Sequence, residues 1–302
     1  MILTNLINGL APIEKKFNDV LINGININSK EVSPGSLFVA IEGHSNDGHS
    51  FVNEAFKNGA SAVISEKHQA SEINKPQIIV NDTRKAVSII SSRFYDNPSK
   101  ELVIIGVTGT NGKTTTSYII KECLSQAGLK TAQIGTTGVI AEGYKQEKTL
   151  TTPDAITLQR LLRNLVKQSF SHVVMEVSSH ALEQFRVHNI DFNIVVFTNL
   201  SEEHLDYHGT MENYFHAKSK LLELLDPKTG LAVINYDDPY GERLLGNTKR
   251  ESIAFSKKNS DVIYFENLNS KDGKIFGSIS TKGIAYNINS QLIGGFNQEN
   301  IL

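Results

Sequence analysis

Apolar positions along the chain follow two regimes. In the first, they come in short clusters. "SLFVAI" (36–41), "SAVIS" (61–65) and "QIIV" (77–80) read as short strands, bounded by the turn pairs Pro34-Gly35, Asp47-Gly48 and Asn58-Gly59. Helical spacing occupies about 51–58 and 84–94, and Leu3, Leu6, Ile7 and Leu10 recur as in a short amphipathic helix packed on this region. "YDNPSKE" (95–101) reads as a hinge, with Pro98 stopping the helix before it. From Leu102 the runs lengthen. "LVIIGV" (102–107), "HVVMEV" (172–177), "NIVVFTNL" (193–200) and "LAVINY" (231–236) are continuously apolar, as strands buried on both faces are. Helical segments at about 114–127, 156–168 and 211–225 separate them.

This alternation predicts an α/β chain. Residues 1–98 form a small mixed α/β domain, and residues 99–302 a central domain with a largely parallel sheet and helices on both faces. The tail from about 251 to 293 offers short polar strands such as "DVIYFE" and "GIAYNI". "GGFNQENIL" reads as a loop entering a helix that is cut off as it starts, so the expectation is a fragment.

Composition narrows the classes. The 302 residues are enough for two cores, and 39% hydrophobic with 21% charged is ordinary for a soluble globular protein. Lys plus Arg is 30 against 32 Asp plus Glu, so no basic excess points to nucleic acid or an anionic membrane. No apolar run approaches a bilayer span, and "MILTNLINGL" lacks the basic start and cleavage site of a secretory signal. The single cysteine, Cys123, cannot form an intrachain disulfide, which fits a reducing cytoplasm; its neighbours Ile119, Ile120 and Ala127 predict a small buried apolar residue.

The chemistry starts at "GVTGTNGKTTT" (106–116). The usual nucleotide loop is G-x-x-x-x-G-K-[ST], yet here Val107 stands where its first glycine belongs. Context still favours a phosphate loop. A buried strand leads in, Gly109 and Gly112 permit close backbone approach, and a helix opens behind them. Lys113 can reach the β- and γ-phosphates, and the Thr114 hydroxyl can bind Mg²⁺. Ligands of open α/β sheets bind beyond the strands' carboxyl ends, where "MEVSSHALEQFR" (175–186) and "TNLSEEHLDYHG" (198–209) also fall. They bring Glu176, Ser178, Ser179 and His180, then Glu203, His204, Asp206 and His208; Glu176 and His204 are candidates to hold Mg²⁺, directly or through water. Lys218 lies on the apolar face of "ENYFHAKSKLLELL" (212–225), with Tyr214, Phe215, Leu221, Leu222 and Leu225. Two readings stay open for it: a snorkelling side chain, or an amine of lowered pKa able to react.

Taken together, these residues resemble the Mur ligase family, the ATP-dependent amide-forming ligases of peptidoglycan precursor synthesis. "TGTNGKTT" is that family's version of the phosphate loop. "PGSLFVAIEGHSNDGHSFVNEAFKNGASAVI", "TTPDA", "MEVSSHALEQFRV" and "FTNLSEEHLDYHGTMENYFHAKSKLL" resemble the branch that adds the third residue of the stem peptide, and the likeness covers nearly the whole chain.

The resemblance implies transfer of meso-diaminopimelate or L-lysine to the D-glutamate of UDP-N-acetylmuramoyl-L-alanyl-D-glutamate, through an acyl phosphate, in the cytoplasm. ATP and Mg²⁺ are the implied cofactors; the muramoyl dipeptide and a diamino acid are the implied partners, with no nucleic acid or membrane. Gly109, Thr110, Asn111, Gly112, Lys113, Thr114 and Thr115 would cradle ATP, with Asn297 and Asn300 at its base. Thr114, Glu176 and His204 would hold metal. Lys218 matches the family's carboxylated lysine, whose carbamate also faces Mg²⁺; Lys113, Lys218, His204 and Glu176 form the implied catalytic set. Ser29 and the stretch His44, Ser45, Asn46 match a uridine-nucleotide pocket. Thr151, Thr152, Ser178, Gln184 and Arg186 match contacts to the muramoyl dipeptide. Two departures stand out. Asn28-Ser29-Lys30 replaces the family's Asp-Ser-Arg, and the family's C-terminal domain, which recognises the incoming amino acid, is expected to be absent. "DDP" (237–239) is assigned to the central domain rather than to amino-acid selection. The 302 residues are therefore expected to bind both nucleotides without ligating. The rivals are a related ligase, adding the terminal dipeptide or acting as a folylpolyglutamate synthase, and a non-catalytic nucleotide-binding module.

Overall fold

The computed structural model describes all residues except 11–17, 44–45, 69–74, 145–149, 258, 272–273 and 295–296. The chain divides into two compact units. One contains Met1–Pro98, Asp154–Arg163 and Gln184–Asn189; the other contains Ser99–Pro153, Asn164–Glu183 and Ile190–Leu302.

The first unit opens with α1 (Leu3–Leu6), followed by β1 (Gly24–Asn26), β2 (Ser36–Val39), α2 (Val52–Lys57), β3 (Ala62–Ser65), β4 (Gln77–Ile79) and α3 (Thr83–Phe94). The four strands pair in parallel in the order β1-β2-β3-β4. Successive side chains of a strand point to opposite faces. Accordingly, Leu37 and Val39 join one core cluster with Leu3, Leu6, Ile7 and Leu10, while Phe38 and Ala40 join another with Val52 and Phe56. The apolar spacing at the start of the chain thus does pack on this unit. Strand β1 escaped the hydrophobic pattern because its three residues, GIN, hold one apolar side chain.

Helix α3 begins where Asp82 accepts a hydrogen bond from the Lys85 amide at 2.9 Å. Such a cap satisfies one of the unpaired amides of the first turn. Asp82→Ala is expected to cost about 1 kcal/mol, read as a lower urea midpoint in equilibrium unfolding.

After α3 come β5 (Val103–Thr108), α4 (Lys113–Gln126), β6 (Thr131–Gly135), β7 (Gly138–Ile140), α5 (Ala155–Lys167), β8 (His172–Glu176), α6 (Ser179–Glu183), β9 (Ile194–Phe197), α7 (Leu205–His208), α8 (Met211–Glu223), β10 (Leu231–Asn235) and α9 (Pro239–Asn247). They are followed by β11 (Glu251–Ser256), β12 (Ile263–Lys271), β13 (Lys274–Thr281), β14 (Ile284–Ile293) and α10 (Asn297–Ile301). One ten-stranded sheet runs β14-β13-β12-β11-β10-β9-β5-β8-β6-β7. From β12 to β6 all pairings are parallel, and β7, β13 and β14 add antiparallel edges. The tail is therefore a meander of strands eight to ten residues long rather than isolated short ones. After β5 the chain moves to the β8–β6 side, then returns to lay β9 against the other edge of β5. That reversal is where open α/β sheets bind ligands.

Cys123 corrects one expectation: it is exposed. Helix α4 turns Thr116, Ser117, Ile120 and Leu124 inward, and Cys123 sits about 100° around the helix from Leu124. Among the described residues, no helix is long and apolar enough to cross a membrane.

Candidate active site

The loop between β5 and α4 answers the puzzle of its spelling. Val107 is fully buried inside β5, so no turn exists there for a glycine to make. Gly109 makes it instead, with φ +147; a Cβ at this position would overlap Thr198 Oγ1 and lie 3.0 Å from the Asn199 carbonyl oxygen. Gly112, at φ +85, then leads into α4 as its N-cap residue.

The loop is laced to the segment leaving β9. Thr110 N–H donates to the Asn199 carbonyl at 2.8 Å, and Asn111 N–H to Asn199 Oδ1 at 2.9 Å. Thr198 Oγ1 donates to the Asn111 carbonyl at 2.7 Å, and Ser201 N–H to Thr110 Oγ1 at 3.0 Å. Residues 198–201 therefore act as a strap that fixes the loop.

A cleft of about 390 Å³ opens over the loop, and Lys113, Thr114, Glu176, His204 and Lys218 all line it. Lys113 Nζ donates to the carbonyls of Gly109 (2.9 Å) and Thr110 (2.8 Å). Burial holds its pKa below the usual lysine value, with Glu203 and Glu176 opposing. Glu176 is 0% exposed at the end of β8. It accepts from the Thr114 hydroxyl at 2.9 Å, the Thr136 amide at 3.0 Å and the Thr136 hydroxyl at 3.2 Å.

Lys218 is 1% exposed, so the snorkelling reading fails. Its Nζ donates to the Gly109 carbonyl at 2.8 Å and lies 4.6 Å from the centre of the Tyr214 ring. Burial pushes its pKa well below 10.5, nearby Lys113 pushes it further, and Glu203 opposes. Tyr214 is wholly buried beneath it, with its hydroxyl 3.3 Å from Thr110 Oγ1. His204 has a left-handed backbone, φ 56, and its ring meets that of His180 at 5.0 Å. A non-glycine residue keeps such a conformation only where its surroundings impose it, and these positions concentrate at functional sites. His208 packs behind, its Nε2 2.9 Å from Ser179 Oγ, with burial lowering its pKa.

Thr151 and Ser178 line the same cleft, and Thr152 lies buried behind it, donating to the Glu176 carbonyl at 2.9 Å. Asn300 Oδ1 accepts from Thr116 Oγ1 at 3.3 Å beside Gly112, and Asn300 Nδ2 donates to Asn297 Oδ1 at 2.9 Å. Ser29, Asn46, Gln184 and Arg186 belong to the first unit. There the buried Ser29 hydroxyl donates to Glu54 at 2.8 Å, Asn46 is exposed, and Arg186 donates to Gln184 Oε1 at 2.7 Å. His44 and Ser45 lie outside the described residues.

Sequence reasoning missed Thr136 and Tyr214. Thr136 follows β6, whose polar inward residues hid the strand; "GTTG" at a strand's carboxyl end was the signal available. Tyr214 was read as core only.

Magnesium fits these residues. Thr114 and Glu176 are hard oxygen donors already in contact, while no three His, Cys, Asp or Glu groups among the described residues gather as a self-sufficient metal site. That suits an ion which takes one or two carboxylates and completes its shell from phosphates and water.

A strand-loop-helix phosphate site at the switch point of a mainly parallel sheet, with a buried lysine facing it, defines a nucleotide-dependent α/β class. The Mur ligase middle domain matches residues 107–302, and the catalytic domain of the Mur ligase family matches residues 21–95. The chain belongs to the Mur ligase family. It is 44% identical over 280 residues to the UDP-N-acetylmuramoyl-L-alanyl-D-glutamate--2,6-diaminopimelate ligase of Aquifex aeolicus, covering 93% of this chain and 57% of that protein. Against the ligase of the same name from Bacillus licheniformis, identity is 40% over 289 residues, covering 93% and 58%. A solved structure of such a ligase superposes with a TM-score of 0.86 at 30% identity, covering 100% of this chain and 62% of that one. The chain thus spans somewhat under two thirds of the length of these relatives.

Proposed function

We propose that the protein is an ATP-dependent amide ligase that joins 2,6-diaminopimelate to the D-glutamate of UDP-N-acetylmuramoyl-L-alanyl-D-glutamate. One observation carries the reading. Lys113, Thr114, Glu176 and the buried Lys218 converge on a single cleft at the carboxyl ends of β5, β8 and β9. The names of the relatives support the substrates.

A carboxylate is a poor electrophile, so it must be activated. The γ-phosphoryl group of ATP passes to the side-chain carboxylate of D-glutamate, giving an acyl phosphate and ADP. The amine then attacks the carbonyl carbon, phosphate leaves, and the amine gives up a proton. The loop amides from Gly109 to Thr115 bind phosphate oxygens, and Lys113 turns from its own loop carbonyls to the transferring group. Thr114, Glu176, His204 and carboxylated Lys218 would hold magnesium, which when bound supplies positive charge against the phosphates. Asn297 and Asn300 sit where the adenine end is proposed to lie. Thr151, Thr152 and Ser178 position the dipeptide; within the first unit, Ser29, His44, Ser45 and Asn46 take the uridine end. Holding both substrates in register removes much of the entropic barrier.

The test is ADP release by the complete gene product with ATP, magnesium and UDP-N-acetylmuramoyl-L-alanyl-D-glutamate. Parallel reactions contain meso-diaminopimelate, L-lysine or no acceptor. Release that depends on diaminopimelate is expected. Release with lysine alone would change the acceptor; turnover only on the UDP-tripeptide or a folate would move the protein to another branch of the family.

A further inference from the structure

"NYDDP" (235–239) begins at Asn235, the last residue of β10, and supplies no residue to the cleft described so far. Asn235 is 2% exposed, and its Nδ2 donates to the Thr198 carbonyl at 2.8 Å. Asp238 is the N-cap of α9, and Pro239 follows at the first helical position. The two oxygens of its carboxylate do different jobs. Oδ1 accepts from the amides of Tyr240 (3.0 Å) and Gly241 (3.1 Å), which is ordinary capping. Oδ2 accepts from the Leu200 amide at 3.0 Å.

Leu200 is 5% exposed and lies in the middle of the 198–201 strap, between Asn199, which takes the Thr110 and Asn111 amides, and Ser201, which donates to Thr110. A cap alone needs one acceptor atom, and Ser or Asn would serve. The second oxygen is what requires a carboxylate here. We propose that Asp238 is a positioning residue for nucleotide binding: through Leu200 it holds the strap, and through the strap it sets the phosphate loop. This rests on the nucleotide-binding part of the function proposed above.

Capping and positioning can be separated. Asp238→Ser keeps a capping oxygen and loses the acceptor for Leu200. Asp238→Asn has one acceptor for two sets of amides, so an N–H is forced against an N–H. Asp237→Ala is the control. Asp237 accepts from Ser256 and from the Lys257 amide, tying β10 to β11 without touching the strap.

The experiment is calorimetric titration of the complete gene product with magnesium ADP, alongside thermal melting. Asp238→Ser is expected to weaken ADP binding about tenfold through the loosened strap, and to melt below wild type because the buried Leu200 amide loses its acceptor. Asp238→Asn is expected to bind ADP at least as weakly as Asp238→Ser, although it is the closer isostere. Asp237→Ala is expected to melt earlier and bind ADP as wild type does. Wild-type affinity in Asp238→Ser overturns the proposal, as does weakening in Asp237→Ala equal to that in Asp238→Ser. Failure of the wild type to bind ADP at all would instead remove the functional reading beneath it.

Discussion

Lys218→Met in the complete gene product is expected to abolish ligation, by about a thousandfold or more, and yet to melt no lower than the wild type. The two halves have one cause. An amine that is 1% exposed and near Lys113 costs stability when it is charged. Methionine fills the same space without that cost, and the Gly109 carbonyl keeps Lys113 as its donor. What is lost is chemical. A neutral amine and carbon dioxide combine to a carbamate with release of a proton, and a depressed pKa enlarges the neutral share of the amine at any pH below 10.5. The sign of the pH dependence follows. Between the depressed folded value and 10.5 the unfolded chain binds more protons at this position, so the lysine's contribution to stability rises with pH across that window. The methionine variant should lose that part of the slope. Melting curves at several pH values and carbon-13 spectra under labelled carbon dioxide would check both. Wild-type turnover in Lys218→Met would leave the buried amine without a catalytic purpose.

Glu176→Gln is expected to lower turnover by about a hundredfold or more and to raise the magnesium concentration needed for half-maximal rate, with little change in melting. The carboxylate meets one amide and two hydroxyls. Glutamine can keep its carbonyl oxygen on the Thr136 amide and offer its NH₂ to the hydroxyls of Thr114 and Thr136, which can rotate to accept. The hydrogen-bond pattern therefore survives and the negative charge does not. If the variant keeps the wild-type magnesium requirement, Glu176 serves only to hold Thr114 and Thr136 in place.

The parallel core was legible because β5, β8 and β9 are buried along almost their whole length and so read as unbroken apolar runs; β10 is as apolar, although Leu231 and Val233 on one face are only half-buried. Strand β6 did not read so, because two of its inward residues are polar: Gln133 Nε2 reaches Ser117 Oγ at 3.1 Å, and the Thr131 hydroxyl reaches the Leu129 carbonyl at 2.9 Å. The Gln133 partner comes from α4 and cannot be inferred from local pattern, whereas the Thr131 hydroxyl is satisfied two residues back. Strand β14 was blurred for the opposite reason, since its side chains from Ile284 to Asn287 are all exposed and nothing enforces an alternation. At the site, the phosphate loop and the candidate set around it followed from local spelling. The dual bonding of Asp238 did not, because it joins residues 38 positions apart. Lys218 stood between two readings until its burial was visible; helical spacing gives the face a residue occupies, but not whether water reaches its end.

Cys123 ends as a practical asset. The chain has one thiol, and it points to solvent from α4, the helix that begins at Lys113. A maleimide dye or a nitroxide would attach there without any engineered cysteine and without displacing core packing. The untouched sequence thus carries its own reporter on the helix that rises from the phosphate loop, ready for following nucleotide association in real time.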